Sequence, residues 1–338
     1  MRSLYIGTIL TCLGCSAWAD NLSEVEQIGT ANTANIQQTG PTAGNSSKIF
    51  QDGTGNHAGV TQGPGFASQN SSEIHQTGSE NEATVMQTGE FANDNALIEQ
   101  IGSRNEATVL QPSNDVTRNV SIRQEGDDNI GSVDQSATAF GTFNVTLDQF
   151  GNANKATIAG TNASVTTSNI LVYQEGDGNI ADVLSIEGDS MRFIDIGQDG
   201  ADQTAKVSQS GDLALTEATI SQIGELNFAD VTQRTPGGST ANALVSQNGS
   251  DNSITLSQLA PNRSGDTIEA NVSQTGNGNS ASLAQFAINS SAVSADINQN
   301  GNNNSIDLQQ NATATASSLS FSLSQIGSGN SVQLVQGN

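Results

Sequence analysis

The sequence predicts an all-β chain: a two-sheet β-solenoid of thirteen strand–turn–strand rungs with amyloid-type cross-β stacking. Three observations carry this expectation. A Gln-x-Gly string marks thirteen successive units, at Gln27, Gln51, Gln76, Gln100, Gln124, Gln149, Gln174, Gln198, Gln222, Gln247, Gln274, Gln299 and Gln325, with 24 to 27 residues between copies. Two residues before each of these glutamines stands a branched aliphatic, from Val25, Ile49 and Ile74 to Ile297 and Leu323. A second glutamine follows at a constant distance in eleven of the thirteen units. A fixed period of this size means stacked supersecondary units, and it decides the fold ahead of local propensity. A chain built from one motif is also more readily a scaffold than an enzyme.

The first nineteen residues stand apart from the repeats. Met1-Arg2-Ser3 is followed by an apolar run from Leu4 to Leu13, and Ala17-Trp18-Ala19 offers a small-x-small cleavage site before Asp20. Residues 1–19 therefore read as a secretory signal peptide, too short in its apolar part to span a bilayer. Cys12 and Cys15 both fall inside it, so residues 20–338, read as a single solenoid domain, hold no cysteine. Removing the leader takes Arg2 with it and leaves nine Lys+Arg against 34 Asp+Glu, a net charge of −25. Such a chain lacks the basic face that nucleic-acid phosphates require. No later stretch is apolar enough to be read as membrane-spanning. Gly, Ser, Asn and Gln are abundant and aromatics make up 4% of residues, a composition shared with disordered tracts. A disordered tract, however, has no reason to hold aliphatic residues in register through thirteen units.

Within each unit, position zero is the glutamine of Gln-x-Gly. The first strand reads aliphatic-x-Gln, with small or apolar residues four before the glutamine, such as Ser23, Ser47, Ala218 and Phe321. Alternation of this kind turns one strand face inward. Glycine at plus two (Gly29, Gly53, through Gly301 and Gly327) marks a tight corner where a positive φ is expected. Asparagine at plus five, present in twelve units (Asn32, Asn56, through Asn304 and Asn330), closes a four-residue turn. The second strand then carries a small or aliphatic residue at plus seven, an aliphatic at plus nine and glutamine at plus eleven, as in Gln38, Gln62, Gln310 and Gln336. Only Gly160 and Ser185 break that last column, and only Gln203 replaces the asparagine. All length variation lies in the connector to the next unit, as in the inserts Arg234 to Thr240 and Leu259 to Asp266. One corner is fixed and the other tolerates insertion.

Inward Gln and Asn would be costly if isolated. Stacked on themselves at about 4.8 Å, each amide donates to one neighbour and accepts from the other. The ladder also sets register, because a slip of one residue would drop glutamine onto an aliphatic row. Thirteen rungs at that spacing would extend roughly 60 Å. The residues expected to carry structural ladders and any polymerisation are Gln27, Asn32, Gln38, Gln51, Asn56, Gln62, Gln299, Asn304, Gln310, Gln325, Asn330 and Gln336, with Gly29, Gly53, Gly301 and Gly327 as the turn glycines.

Chemistry-bearing constellations are sparse. His57 and His75 alternate with inward positions and are expected to face outward on different strands, which disfavours a metal pair. Acidic turns such as Gly126-Asp127-Asp128-Asn129 lack both the calcium-binding nonapeptide and the EF-hand pattern. Two outward histidines and scattered carboxylates give no Ser-His-Asp arrangement and no acid cluster, so no catalytic residue, cofactor or metal is expected. No Thr-x-Thr array suited to ice runs through the units. Early rungs carry more charge than late ones: plus six reads Thr33, His57, Glu82 and Glu106 at the start but Ser253, Ser280, Ser305 and Ser331 at the end. Repulsion between stacked like charges should make the C-terminal third the readier nucleator.

These residues resemble the curlin repeat, Ser-x5-Gln-x-Gly-x-x-Asn-x-Ala-x5-Gln. Ile74-His75-Gln76-Thr77-Gly78-Ser79-Glu80-Asn81-Glu82-Ala83-Thr84-Val85-Met86-Gln87 is a close copy, and the resemblance covers about residues 22 to 336. The resemblance implies a secreted functional amyloid of the curli type: a subunit that leaves the cell unfolded through an outer-membrane export apparatus and polymerises on a surface nucleator into fibres for adhesion and biofilm matrix. The chain departs from that family in having more repeats than its familiar subunits. Its repeats also start directly after Asp20 and Asn21, without a Gly/Asn-rich leader. The repeats are expected to end without a capping segment. Open ends of that kind favour head-to-tail addition of identical copies. The competing expectation is a solenoid adhesin or ligand-binding rod that never polymerises.

Overall fold

Each described rung is a pair of strands facing across a thin core, and the strand break falls where Gln-x-Gly meets Asn. The computed structural model describes residues 21–40, 44–63, 69–89, 93–112, 117–136, 142–161, 167–186, 192–211, 216–235, 240–260, 267–287, 292–312 and 319–337. The signal-peptide reading, Cys12 and Cys15 lie outside these residues, as does most of both connector inserts. The described residues form 26 strands and no helix. By its internal packing the chain divides into two compact units, Met1–Ser164 and Val165–Asn338. The first holds rungs 1 to 6 and the second rungs 7 to 13, numbered by their glutamines.

In the first unit, the first strands of the six rungs pair in order as one parallel sheet and the second strands as another. Rung 1 comprises Leu22–Thr30 and Thr33–Gln38, and rung 2 comprises Ser46–Thr54 and His57–Gln62. The register is residue over equivalent residue: Val25 on Ile49, Gln27 on Gln51, Gly29 on Gly53, and Ala34 on Ala58. The second unit repeats the arrangement with seven rungs, for example Ile196 on Ile220 and Gln198 on Gln222. Both units are thus two-sheet β-solenoids, as the period predicts.

The strands form where alternation lets them. Ile49, Ile74, Ile98 and Ile122 are fully buried, as are Val85 and Val109 on the facing sheet. Small residues at plus seven, such as Ala58, Ala83 and Ala107, are also fully buried and let the two sheets approach. Where a rung departs from alanine, its neighbour compensates. A Cβ on Gly131 would come within 2.9 Å of Leu147 Cδ2, so the missing methyl makes room for the Leu147 side chain of the next rung.

The turn differs from expectation in most rungs. Parallel pairing continues through plus three, so only plus four and plus five, such as Ala31-Asn32 and Glu80-Asn81, leave the strand. The expected four-residue turn is present in rungs 6, 11, 12 and 13, at residues 151–154, 276–279, 301–304 and 327–330. Pairing can persist through the glycine because glycine stacks on glycine with nothing between the backbones.

Candidate functional site: the stacked amide columns

The first column of glutamines is continuous within each unit. Gln27 Nε2 donates to Gln51 Oε1 at 2.6 Å, and Gln51 donates to Gln76 at 2.7 Å. Gln76 donates to Gln100 at 2.8 Å and Gln100 to Gln124 at 2.9 Å. In the second unit the series runs from Gln174 to Gln198 at 2.8 Å and ends with Gln299 donating to Gln325 at 2.9 Å. In the interior rungs the second hydrogen of the amide reaches the backbone, as when that of Gln76 Nε2 is shared between His57 O and Asn81 O, both at 3.0 Å. Interior members are fully buried, so these bonds are what make an amide interior tolerable. Within each unit these side-chain bonds all point the same way, from an earlier rung to a later one.

The plus-eleven column repeats the pattern in two runs. Gln38 donates to Gln62 at 2.8 Å, and the run ends with Gln111 donating to Gln135 at 2.9 Å. The second run starts with Gln209 donating to Gln233 at 2.7 Å and ends with Gln310 donating to Gln336 at 3.1 Å.

The asparagine column fixes the corner. Asn32 Nδ2 donates to Ile28 O at 2.9 Å, which closes its own turn, and to Gly53 O at 3.2 Å in the next rung. Asn32 Oδ1 accepts the backbone N–H of Asn56 at 3.0 Å. The same set recurs at the far end, where Asn304 Nδ2 donates to Gly327 O at 2.8 Å and Asn330 N–H donates to Asn304 Oδ1 at 3.1 Å. Asparagine suits this place because one short amide reaches its own turn and the next rung together.

The plus-two glycines are required twice over. Gly29, Gly53, Gly301 and Gly327 have φ of 108°, 131°, 128° and 110°. A Cβ on Gly29, Gly53 or Gly301 would overlap the carbonyl oxygen of the glycine in the next rung. At Gly327 the nearest atom to such a Cβ is Asn330 Nδ2, at 3.6 Å.

Three features escaped the sequence reading. Plus four is left-handed in every rung, and only Gly55, Gly178, Gly278 and Gly329 answer that need with glycine; Ala31, Arg104 and Leu226 do so at 56°, 57° and 56°. A further inward column runs at minus six, beside the variable connector. It starts as asparagine, with Asn45 N–H donating to Asn21 Oδ1 and Asn70 N–H to Asn45 Oδ1, both at 3.1 Å. In rungs 4 and 5 it becomes an ion pair. Arg118 Nη2 and Nε donate to Asp94 Oδ2 and Oδ1 at 2.8 and 3.0 Å, with both side chains fully buried. Burial pushes the Asp94 carboxyl up to about 6, against the downward pull of Arg118. In rungs 10 to 13 the same corner is an apolar cluster of Ala241, Ala260, Ile268, Ala287, Val293, Ala312 and Leu319. The third feature concerns the two breaks in the plus-eleven column. Beside Gly160, a Cβ would overlap the ring of Phe143, and beside Ser185 the guanidinium of Arg192 donates to Ser185 Oγ at 2.8 Å. The two exceptions in an otherwise regular column were the available signal.

The outward faces carry charge that partly pairs between rungs. Lys48 meets Glu73 at 3.3 Å, Arg104 meets Asp128 at 2.7 Å, and Arg123 meets Glu99 at 3.6 Å. The early rungs are therefore not simply repulsive, although Glu82 does stack on Glu106. His75 is outward and bonded to Glu73 at 2.6 Å, and together with Lys48 it holds that carboxyl below its ordinary range. Arg104 likewise holds Asp128 low. His57 and His75 lie on different sheets, and among the described residues no group of three or more His, Cys, Asp or Glu is placed to hold a metal ion. No described helix is long and apolar enough to cross a membrane. Neither the models of known protein families nor the curated proteins match this chain.

Proposed function

We propose that this chain is a secreted structural subunit of curli-like extracellular amyloid fibres, serving adhesion and biofilm matrix by templated end-to-end polymerisation. The observation that carries this reading is the one-way polarity of the glutamine columns. Each amide donates to the later rung, so rung 1 offers Gln27 Oε1 as an acceptor, while Gln325 and Gln336 have no later amide among the described residues. One copy's last rung and another's first are thus complementary in hydrogen bonding, which is the requirement for a heterologous contact that propagates. Val25, Ala34, Val332 and Leu334 face inward yet are only half-buried in these edge rungs, unlike their counterparts in the interior. The partners this reading entails, a curli-type nucleator and an outer-membrane export apparatus, rest on the curlin resemblance. The chain acts in this reading as a scaffold rather than an enzyme.

One observation favours the second reading, a solenoid adhesin or ligand-binding rod that does not polymerise. At minus six the first rung carries Asn21 and the last Leu319, so head-to-tail stacking would set an amide against an aliphatic side chain. The experiment that separates the readings is incubation of purified mature chain at micromolar concentration with electron microscopy and fibre diffraction. Fibres with a meridional spacing of about 4.8 Å are expected. Leu319→Asn should shorten the lag by matching the two ends. A product that stays monomeric in both forms refutes polymerisation and leaves the rod.

A further inference from the structure

In the second unit the break in the plus-eleven column at Ser185 leaves polar atoms buried without protein partners. Ser185 stacks in register with Gln209. Elsewhere in this column the earlier amide donates to the later Oε1, as Gln209 Nε2 does to Gln233. Serine is too short to do so. Gln209 Oε1 is accordingly buried with no hydrogen-bond donor among the described residues.

Arg192 takes part of the space. Its Nη1 donates to Ser185 Oγ at 2.8 Å and Gln209 O at 3.2 Å, and its Nη2 to Ile186 O and Gly211 O, both at 3.0 Å. In the minus-six column Arg192 stacks between Ser168 and Thr216. The hydroxyls of Ser168, Thr216 and Thr235 are also buried without a protein partner. A Cβ on Gly211 would lie 2.7 Å from Thr235 Oγ1, which places that hydroxyl beside the glycine whose carbonyl Arg192 uses. Four unpartnered polar atoms therefore gather at one corner of three consecutive rungs.

Native interiors rarely leave such groups unsatisfied, and each one calls for an explanation. The chemistry of the four atoms selects what satisfies them. Gln209 Oε1 can only accept, so a bare anion cannot serve it. A metal cation would sit against the Arg192 guanidinium. An apolar side chain would satisfy none of the four. Water both donates and accepts, and polar enclosure by several partners is what holds buried water.

We propose that the corner of rungs 7 to 9 is an internal hydration site, in which bound water carries the amide column from Ser185 Oγ to Gln209 Oε1. The other break needs no such bridge, because the Phe143 ring fills the place beside Gly160. The site belongs to the fold of one chain and holds whether or not copies polymerise.

The test is water-to-protein magnetisation transfer on the full folded chain, read at glutamine side chains. Transfer at Gln209 should be several-fold faster than at Gln233, whose Oε1 is satisfied by Gln209. Ser185→Gln combined with Arg192→Ala supplies the missing amide donor and should bring Gln209 down to the level of Gln233. Equal, slow transfer at both residues in the unmodified chain overturns the proposal, as does fast transfer that survives the double substitution. If the double variant fails to fold, the Gln209-to-Gln233 ratio in the unmodified chain decides alone.

Discussion

Replacing Asp94 by asparagine should cost far more than its size suggests, and replacing Arg118 at the same time should recover most of the loss. Asp94 sits in a column that is asparagine in the three preceding rungs, and its own N–H donates to Asn70 Oδ1 at 3.1 Å. Asp94→Asn alone takes the carboxylate away from the fully buried Arg118 guanidinium, which also donates to Gln111 O at 3.1 Å and to Gln135 O. Breaking a buried ion pair by removing one partner costs about 3–5 kcal/mol. The double substitution to asparagine would extend the column from Asn45 and Asn70 into rungs 4 and 5. It should leave a coupling energy of about 2–3 kcal/mol in the double-mutant cycle, the remainder being the cavity left by the arginine stem. Global unfolding of a repeat array is not reliably two-state, so the assay is amide exchange protection in rungs 4 and 5 of the non-polymerised chain. The pair also gives a sign for pH. The folded Asp94 carboxyl titrates near 6, above its ordinary value of 3.8, so the folded state binds the proton more readily than the unfolded state. That contribution is fully present below 3.8, falls as pH rises, and is lost above 6. Protection in rungs 4 and 5 should accordingly rise by about 1 kcal/mol between pH 7 and pH 5, and the double variant should be flat. A coupling energy below about 0.5 kcal/mol, or protection that falls over that pH range, would refute the reasoning.

Two further predictions test the columns themselves. Gln100→Ala removes one donation to Gln124 Oε1, one shared between Glu82 O and Asn105 O, and one acceptance from Gln76, so it should cost about 3–4 kcal/mol locally; Gln336→Ala, which loses one bond from Gln310, should cost about 1 kcal/mol. Similar exchange protection in the two variants would show that the ladder is not what holds the interior. Leu226→Gly should raise stability by about 1 kcal/mol because it relieves a non-glycine residue at φ 56°, whereas Gly224→Ala in the same corner should unpair the rung, since its Cβ would overlap the Gly249 carbonyl oxygen; exchange protection in rungs 9 and 10 checks both.

What was legible in the sequence was whatever recurs with an unchanged residue type. Gln, Gly, Asn and the aliphatics keep their identity at zero, plus two, plus five and plus nine, so the strands, the two sheets and the ladder residues follow from the period alone. The left-handed plus-four position was not legible, because its demand is weak enough for any residue. Gly55 and Asp128 hint at it, but Ala31, Glu80, Arg104, Ala153 and Leu226 do not. The minus-six column was hidden for the opposite reason. It is buried in nearly every rung yet changes from Asn70 to Asp94, Arg118, Phe143, Ser168, Arg192 and Thr216, so no residue type repeats for a period to reveal. The division into two compact units also left no mark in the spacing.

The two kinds of column divide the work of stacking. Glutamine over glutamine and asparagine over asparagine fit between any two rungs, so they supply cohesion but cannot tell one rung from another. The minus-six corner can. Asp94 is satisfied only beside Arg118, Phe143 fits only where the facing residue is Gly160, and Arg192 only where it is Ser185. A slip of one rung would set the Asp94 carboxylate beside Phe143 and the Arg118 guanidinium beyond reach. Burying an unpaired charge in that way costs several kcal/mol, more than one repeated amide pair returns. A chain of thirteen near-identical units thus carries its register in the column where the units differ, and the corner that tolerates connectors of varied length is the one free to hold it.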